Sequence, residues 1–242
     1  KKVDDNDVFD MELKTDSSEE FIQSVKSLDN TFGCINLEDI KAPECFFIEE
    51  RLKKEMNIPV FHDDQHGTAI ITAAALVNAC IVHKKKLNSI KVVFNGAGAA
   101  ATACANLFFK MGVQRKNLTM CDSRGVIYKG RTEGMNEWKE AFAIDTKARS
   151  LADALKGADV FCGLSVAGIL TPEMLKSMAK KPIVFAMSNP DPEIDPKLAL
   201  ATRKDVIMAT ERTDYPNQVN NVLGFPSSCR AAIDGKDSHI KE

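Results

Sequence analysis

Between residues 89 and 209, short and nearly continuous apolar runs take turns with amphipathic or Ala-rich segments. Residues 90–94, 118–121, 160–162, 183–187 and 206–209 have strand length and lack in/out alternation, so both faces of each predicted strand are covered. Helices are predicted between them over 99–111, 150–155, 172–178 (behind a Thr171 cap) and 196–201. Strand, helix, strand in repetition predicts an α/β fold, a doubly wound Rossmann-type, mostly parallel sheet with helices on both faces. Upstream the pattern is looser. Phe21, Ile22, Val25 and Leu28 fall at helical spacing behind Ser17 and Ser18, predicting a helix over 19–28. Cys34-Ile35-Asn36-Leu37 reads as a short buried strand that ends in Glu38 and Asp39. Pro43 opens a helix with Phe46, Phe47, Ile48 and Leu52 inward, and a strand over 58–61 ends in Asp63 and Asp64. The stretch 69–82 is apolar nearly all round, which predicts burial between layers; Thr72 and Asn78 interrupt it and it is too short to span a bilayer.

Composition narrows the class. The 242 residues are 44% hydrophobic, enough for one large domain with a small appendage, and carry a formal net charge of -2. The only basic run is Lys84-Lys85-Lys86, a solvated helix end rather than a nucleic-acid footprint, so neither nucleic acid nor membrane is expected as a partner. Seven cysteines, odd in number, widely spaced and without a C-x-x-C pair, predict reduced thiols in a cytoplasmic protein, although an organellar address lost with the start stays open. The absence of an initiator Met and the polar ending read as a piece of a longer chain. Residues 1–30 are expected to be a lead-in left from a missing upstream domain, and 31–242 one cofactor-binding domain truncated at its end.

Candidate chemistry begins after the 90–94 strand. Asn95-Gly96-Ala97-Gly98-Ala99-Ala100-Ala101 is G-x-G-x-x-A opening a helix. Gly96 permits the tight turn, Gly98 lets backbone approach a pyrophosphate, and Ala101 lets helix and strand pack closely, with the amides from Ala97 to Ala100 facing phosphates. Alone such a turn also serves purely structural ends. Asp122, at the end of the following strand, stands where a carboxylate accepts an adenosine ribose, and together they predict dinucleotide binding. Asp122 favours NAD by repelling a 2′-phosphate; Arg124, Lys129 and Arg131 just after it are positioned to neutralise one, which leaves NAD and NADP both open.

The acidic pairs are hard oxygen ligands of the kind Mg²⁺ and Mn²⁺ prefer, although adjacent acids are commonly solvated surface. Their surroundings are specific. Ile35-Asn36-Leu37-Glu38-Asp39-Ile40 with Phe61-His62-Asp63-Asp64-Gln65-His66-Gly67-Thr68-Ala69 resembles the metal-site signature of malic enzymes, especially the small bacterial type. The resemblance runs from about residue 18 to 225, through Ser188-Asn189-Pro190 and Tyr215-Pro216-Asn217-Gln218-Val219-Asn220-Asn221-Val222. It implies Glu38, Asp39 and Asp64 as metal ligands, Asp63 as an acid beside the reacting centre, and Asn189 and Asn221 at the malate and nicotinamide. Ser165, in the loop after the 160–162 strand, is a further cofactor-contact candidate.

The resemblance also implies oxidative decarboxylation of malate to pyruvate with NAD or NADP and Mg²⁺ or Mn²⁺, in a protein that forms homo-oligomers at full length. The family's base and acid, a Lys and a Tyr of an N-terminal domain, have no counterpart here. The 37 residues before Glu38 are expected to match no such domain, so the chain alone is expected to bind cofactor without sustained turnover. Ser227-Ser228-Cys229 and Glu211 depart from the family pattern and put the closing packing in question. Two alternatives stay open: a metal-independent Rossmann dehydrogenase of amino-acid-dehydrogenase type, and a catalytically silent nucleotide-binding module.

Overall fold

The computed structural model describes residues 2–3, 6–238 and 240. The outermost residues of both expected segments, Lys1, Asp4 and Asp5 at one end and His239, Lys241 and Glu242 at the other, lie outside these. The chain divides into two compact units, Lys1–Gly67 with Asn221–Glu242, and Thr68–Asn220.

In the first unit, β1 (Lys2–Val3) pairs antiparallel with β2 (Asn6–Asp7). Helix α1 (Ser18–Lys26) starts at Ser17, whose side chain accepts the Glu20 amide, as the serines before the apolar spacing predict. Strand β3 (Ile35–Leu37), helix α2 (Glu44–Glu55) and β4 (Val60–His62) follow. Leu37, Ile22, Val25, Ile48, Leu52, Met56 and Val60 form a core of their own. Parallel pairing sets Leu37 opposite His62, so both acidic pairs leave the same end of the two strands.

The second unit opens with α3 (Thr68–His83), and then alternates: β5 (Val92–Asn95), α4 (Ala99–Lys110), β6 (Leu118–Asp122), β7 (Gly125–Val126), α5 (Glu137–Glu140), α6 (Leu151–Leu155), β8 (Val160–Gly163), α7 (Pro172–Ser177), β9 (Ile183–Ala186), α8 (Pro196–Thr202) and β10 (Ile207–Thr210). The sheet order is β10-β9-β8-β5-β6-β7, parallel throughout except for the antiparallel β7. Alternate strand residues feed the two faces. Val92, Phe94, Leu118, Met120, Cys162 and Phe185 pack with α3 and α4, whereas Val93, Phe161, Val184 and Ala186 pack with the Leu155, Leu175 and Ala199 side of α6, α7 and α8. Both faces are therefore dry, which is why these strands read as unbroken apolar runs.

Three expectations need correction. Helix α3 is not buried all round: Ala69, Ala73, Leu76 and Cys80 are in the core, but Ile81 and Val82 are 69% and 70% exposed. With the turn before it, the helical run Asp63–His83 is 21 residues, long and apolar enough by length and composition to cross a membrane, because π-helical backbone over Asp63–Gly67 extends what looks like a shorter apolar stretch. The cysteines are not all free thiols. A disulfide joins Cys34 to Cys229, with Cα atoms 6.1 Å apart, because α9 (Phe225–Gly235) lays Ile233 against Gly33 beside Cys34. Cys45, Cys80, Cys104, Cys121 and Cys162 are free and buried. Cys229 thus supplies one half of a cross-link, and α9 forms with Cys229 and Ala232 buried.

Candidate functional site

In the second unit, the strand order reverses direction of winding between β5 and β8, and their carboxyl ends frame the crevice where open α/β sheets take ligands. Gly96 sits there at φ +128°, and a Cβ on it would lie 2.6 Å from the Leu164 carbonyl oxygen, so this position requires glycine. Gly98 differs: its backbone is extended (φ -88°, ψ -167°) and a Cβ would meet nothing within 4 Å. Among the described residues no contact demands glycine at 98. Open space in front of an uncapped helix start, with no acidic residue in the first turn of α4, is what an approaching pyrophosphate needs. Ala101 is buried in the core cluster with Phe94, which gives the close helix-to-strand packing.

Asp122 ends β6 as anticipated, but its carboxylate is already occupied. Arg131 Nη2 donates to both oxygens at 2.8 and 2.7 Å, Lys139 Nζ donates at 2.8 Å and the Arg124 amide at 2.9 Å. Burial pushes this carboxyl up, yet the Lys139 and Arg131 hydrogen bonds outweigh it and hold it below the ordinary carboxylate range. The Arg131 side chain is nearly buried, whereas that of Arg124 stays 56% exposed. Ser165 lies in the exposed loop after β8, where its hydroxyl accepts the Asn95 side-chain amide. Asn189 follows β9, exposed beside the buried Ser188.

In the first unit the four acids gather. Asp39, in the left-handed region at φ 56°, donates its amide to Asp64 Oδ2 at 3.0 Å. Asn36 donates to Glu38 Oε1 at 2.9 Å. Burial, and then the charge of Asp64, push the Glu38 carboxyl up, with a hydrogen bond to Asp63 among its contacts. Asp63 is buried, and its carboxylate lies so close over Gly67 that any Cβ there would collide with it. His62 is fully buried and, among the described residues, has no hydrogen-bond partner at either ring nitrogen, Nδ1 lying 3.9 Å from Asp64 Oδ2. Among the described residues no group of three His, Cys, Asp or Glu side chains stands in metal-ligating geometry. The donor chemistry is nevertheless of the kind a hard divalent cation takes: carboxylate oxygens leave the ends of two adjacent strands, and the Glu38 carboxyl, made easier to protonate by burial and then by the charge of Asp64, would be relieved by a positive ion. Asn221 opens a short 3-10 turn in this same unit, its Cβ 3.1 Å from where a Gly67 Cβ would be. It lies in the same compact unit as the acids.

Behind the acidic turn is a network that the sequence reading missed. Glu49, buried on α2, lies 2.7 Å from both His66 Nε2 and Lys53 Nζ, and Gln65 donates to its other oxygen at 3.4 Å. Its i,i+4 spacing to Lys53 was visible in the sequence; its pairing with His66 needed the fold.

A doubly wound sheet with this turn defines a dinucleotide-binding α/β protein. Residues 65–242 match the family model described as malic enzyme, NAD binding domain, and residues 7–53 the one described as malic enzyme, N-terminal domain. The chain belongs to the malic enzyme family. It is 58% identical over 240 residues to a probable NADP-dependent malic enzyme of Rickettsia prowazekii, a match covering 99% of this chain and 31% of that protein. It is 56% identical over 242 residues to an NADP-dependent malic enzyme of Rhizobium meliloti (100% and 32%). The crystal structure of an NAD-dependent malic enzyme from Thermotoga maritima superposes with TM-score 0.90 at 45% identity, covering 95% of this chain and 61% of that one. The chain thus spans about a third of the length of these two curated relatives. The match over 7–53 overturns the expectation that nothing before Glu38 resembles the upstream domain. Physically, α1, β3, α2 and β4 close their own core rather than trailing from the large sheet.

Proposed function

We propose that the protein containing this chain oxidises and decarboxylates malate to pyruvate and carbon dioxide, with NADP and Mg²⁺ or Mn²⁺. The Glu38-Asp39 and Asp63-Asp64 pairs leaving the same end of adjacent parallel strands, with the Asp39 amide on Asp64, support the reading, within a family whose curated members are named malic enzymes. Glu38, Asp39 and Asp64 would hold the metal, which when bound supplies Lewis acidity toward a ketone oxygen. Asp63, anchored over Gly67, keeps a carboxyl fixed beside them. Ser165 and Asn189 present polar side chains at the crevice for the cofactor's nicotinamide half, and Asn221 does so in the acid-bearing unit for malate. The amides from Ala97 to Ala100 receive the pyrophosphate. The curated relatives include both NADP- and NAD-dependent enzymes. The state of Asp122 supports NADP: a carboxylate held by Arg131 and Lys139 has lost its repulsion for a 2′-phosphate, and Arg124 beside it has an exposed guanidinium.

The test is pyruvate formation by the full-length protein with NADP⁺ and NAD⁺ separately, with Mn²⁺ or with chelator, beside Asp64→Ala. Metal-dependent turnover that prefers NADP⁺ and is lost in Asp64→Ala is expected. Cofactor binding without turnover would overturn the proposal in favour of a silent module, and turnover in chelator would overturn the metal assignment.

A further inference from the structure

Two loops leave the carboxyl ends of the neighbouring strands β8 and β9, and one buried carboxylate ties them together. Glu193 is fully buried. Its Oε1 accepts the Ser165 amide at 3.2 Å and its Oε2 the Ser188 amide at 3.0 Å. Because each oxygen receives an N–H, neither needs a proton of its own to be satisfied. The strand beneath makes room for this: a Cβ on Gly163 would run into the Glu193 carboxylate. The backbone repeats the tie, with Gly168 N donating to Pro192 O at 3.2 Å and Leu170 N to Glu193 O at 2.9 Å. From Ser165 the connection continues to β5, through the Asn95 side chain on the Ser165 hydroxyl and through Leu164 N on Asn95 O at 2.8 Å. One chain of hydrogen bonds therefore runs from the strand before the glycine-rich turn to the loop bearing Asn189.

A carboxylate taken out of water and held by backbone amides is costly, and burial pushes the Glu193 carboxyl up. An apolar side chain would fill the same space at less cost but would leave two amides unpaired and the loops untied. We propose that Glu193 is a positioning residue that fixes the Ser165 and Ser188-Asn189 loops against the nicotinamide half of the bound cofactor. The inference rests on the cofactor reading above.

The test uses the full-length protein, its Glu193→Gln variant and two ligands measured by calorimetry: NADP⁺, and adenosine 2′,5′-bisphosphate, which lacks the nicotinamide half. Glutamine keeps the size and one acceptor but turns an NH₂ toward one of the two loop amides. NADP⁺ affinity is expected to fall roughly tenfold or more while the bisphosphate stays within about twofold. Equal weakening of both ligands, or of neither, would overturn the proposal, since a general loss of structure does not distinguish the two halves of the cofactor. Should Glu193→Gln fail to fold, Glu193→Asp, which keeps the charge but withdraws it by one methylene, permits the same comparison. Wild-type protein that binds neither ligand would overturn the proposed function and this inference with it; wild-type binding with an unaltered variant overturns this inference alone.

Discussion

The two glycines of the phosphate turn carry opposite obligations, and replacing each by alanine separates them. Gly96 at φ +128° would place a Cβ 2.6 Å from the Leu164 carbonyl. The left-handed half of backbone space costs an L-residue about 1–2 kcal/mol, and relieving the collision by shifting backbone brings the total to roughly 2–4 kcal/mol. For a chain of this size that lowers the melting temperature by roughly 5–15 °C. Gly98 has ordinary extended dihedrals and open space around it. There alanine gains about 0.4–1 kcal/mol by restricting the unfolded chain and loses a similar amount as a poorer N-cap, so stability should be nearly unchanged. The methyl group, however, occupies the approach to the helix start, and NADP⁺ affinity should drop roughly tenfold or more. Thermal denaturation and equilibrium NADP⁺ binding on both variants decide the matter. If Gly98→Ala melts as low as Gly96→Ala, or binds NADP⁺ like the wild type, the assignment of Gly98 to the pyrophosphate is wrong.

Arg131→Gln removes the guanidinium nitrogen that donates to both oxygens of Asp122, leaving Lys139 as the remaining cation on that carboxylate; the ratio of NADP⁺ to NAD⁺ affinity should fall about tenfold or more, and an unchanged ratio from paired titrations would refute the neutralisation argument. Glu49→Gln loosens the turn behind Asp64, so Mn²⁺ binding followed by electron paramagnetic resonance should weaken roughly 10–100-fold while adenosine 2′,5′-bisphosphate binding in the other unit is untouched. Burial raises the Glu49 carboxyl, but His66 and Lys53 hold it below its ordinary value of 4.5; a depressed carboxyl stabilises the fold above that pH and loses this contribution as pH falls below it. Acid melting curves should therefore show a shallower slope in Glu49→Gln than in wild type, and identical slopes would contradict the pairing. Cys34→Ser opens a cross-link between residues 195 apart in sequence and should cost about 2–5 kcal/mol under oxidising conditions; no difference from wild type there would mean that the bond contributes nothing to stability.

The large sheet was legible because its strands are buried on both faces, which leaves unbroken apolar runs, and because its helices begin at Ser150, Thr171 and Asp195 caps. The acidic pairs stood out for a different reason: by themselves adjacent acids are commonly solvated surface, and only the resemblance of the residues around them to a metal-site signature singled them out. What escaped were features that depend on distant partners. Nothing near Asp122 in the chain says that Lys139 will reach it from a later helix. Glu193, in a loop rich in proline and aspartate, looks like surface until the fold buries it against Gly163. Cys34 and Cys229 have no common pattern, and β7 at Gly125–Val126 is too short for any periodicity to register. Ile81 and Val82 misled in the other direction, because apolar composition predicts burial only where another layer exists to cover it.

The first compact unit is discontinuous: Thr68–Asn220 is inserted between its two segments. During synthesis the inserted unit is a continuous stretch and can close as soon as it has emerged. The acid-bearing unit has to wait for residues that follow it, at 5–20 residues per second a delay of roughly 10–30 s. Throughout that interval the surface awaiting α9 is uncovered and Cys34 is without Cys229. The interval is therefore when this chain is most exposed to wrong cysteine pairing and to aggregation, and destabilising changes in residues 1–67 should reduce yield more than changes of equal cost in the sheet.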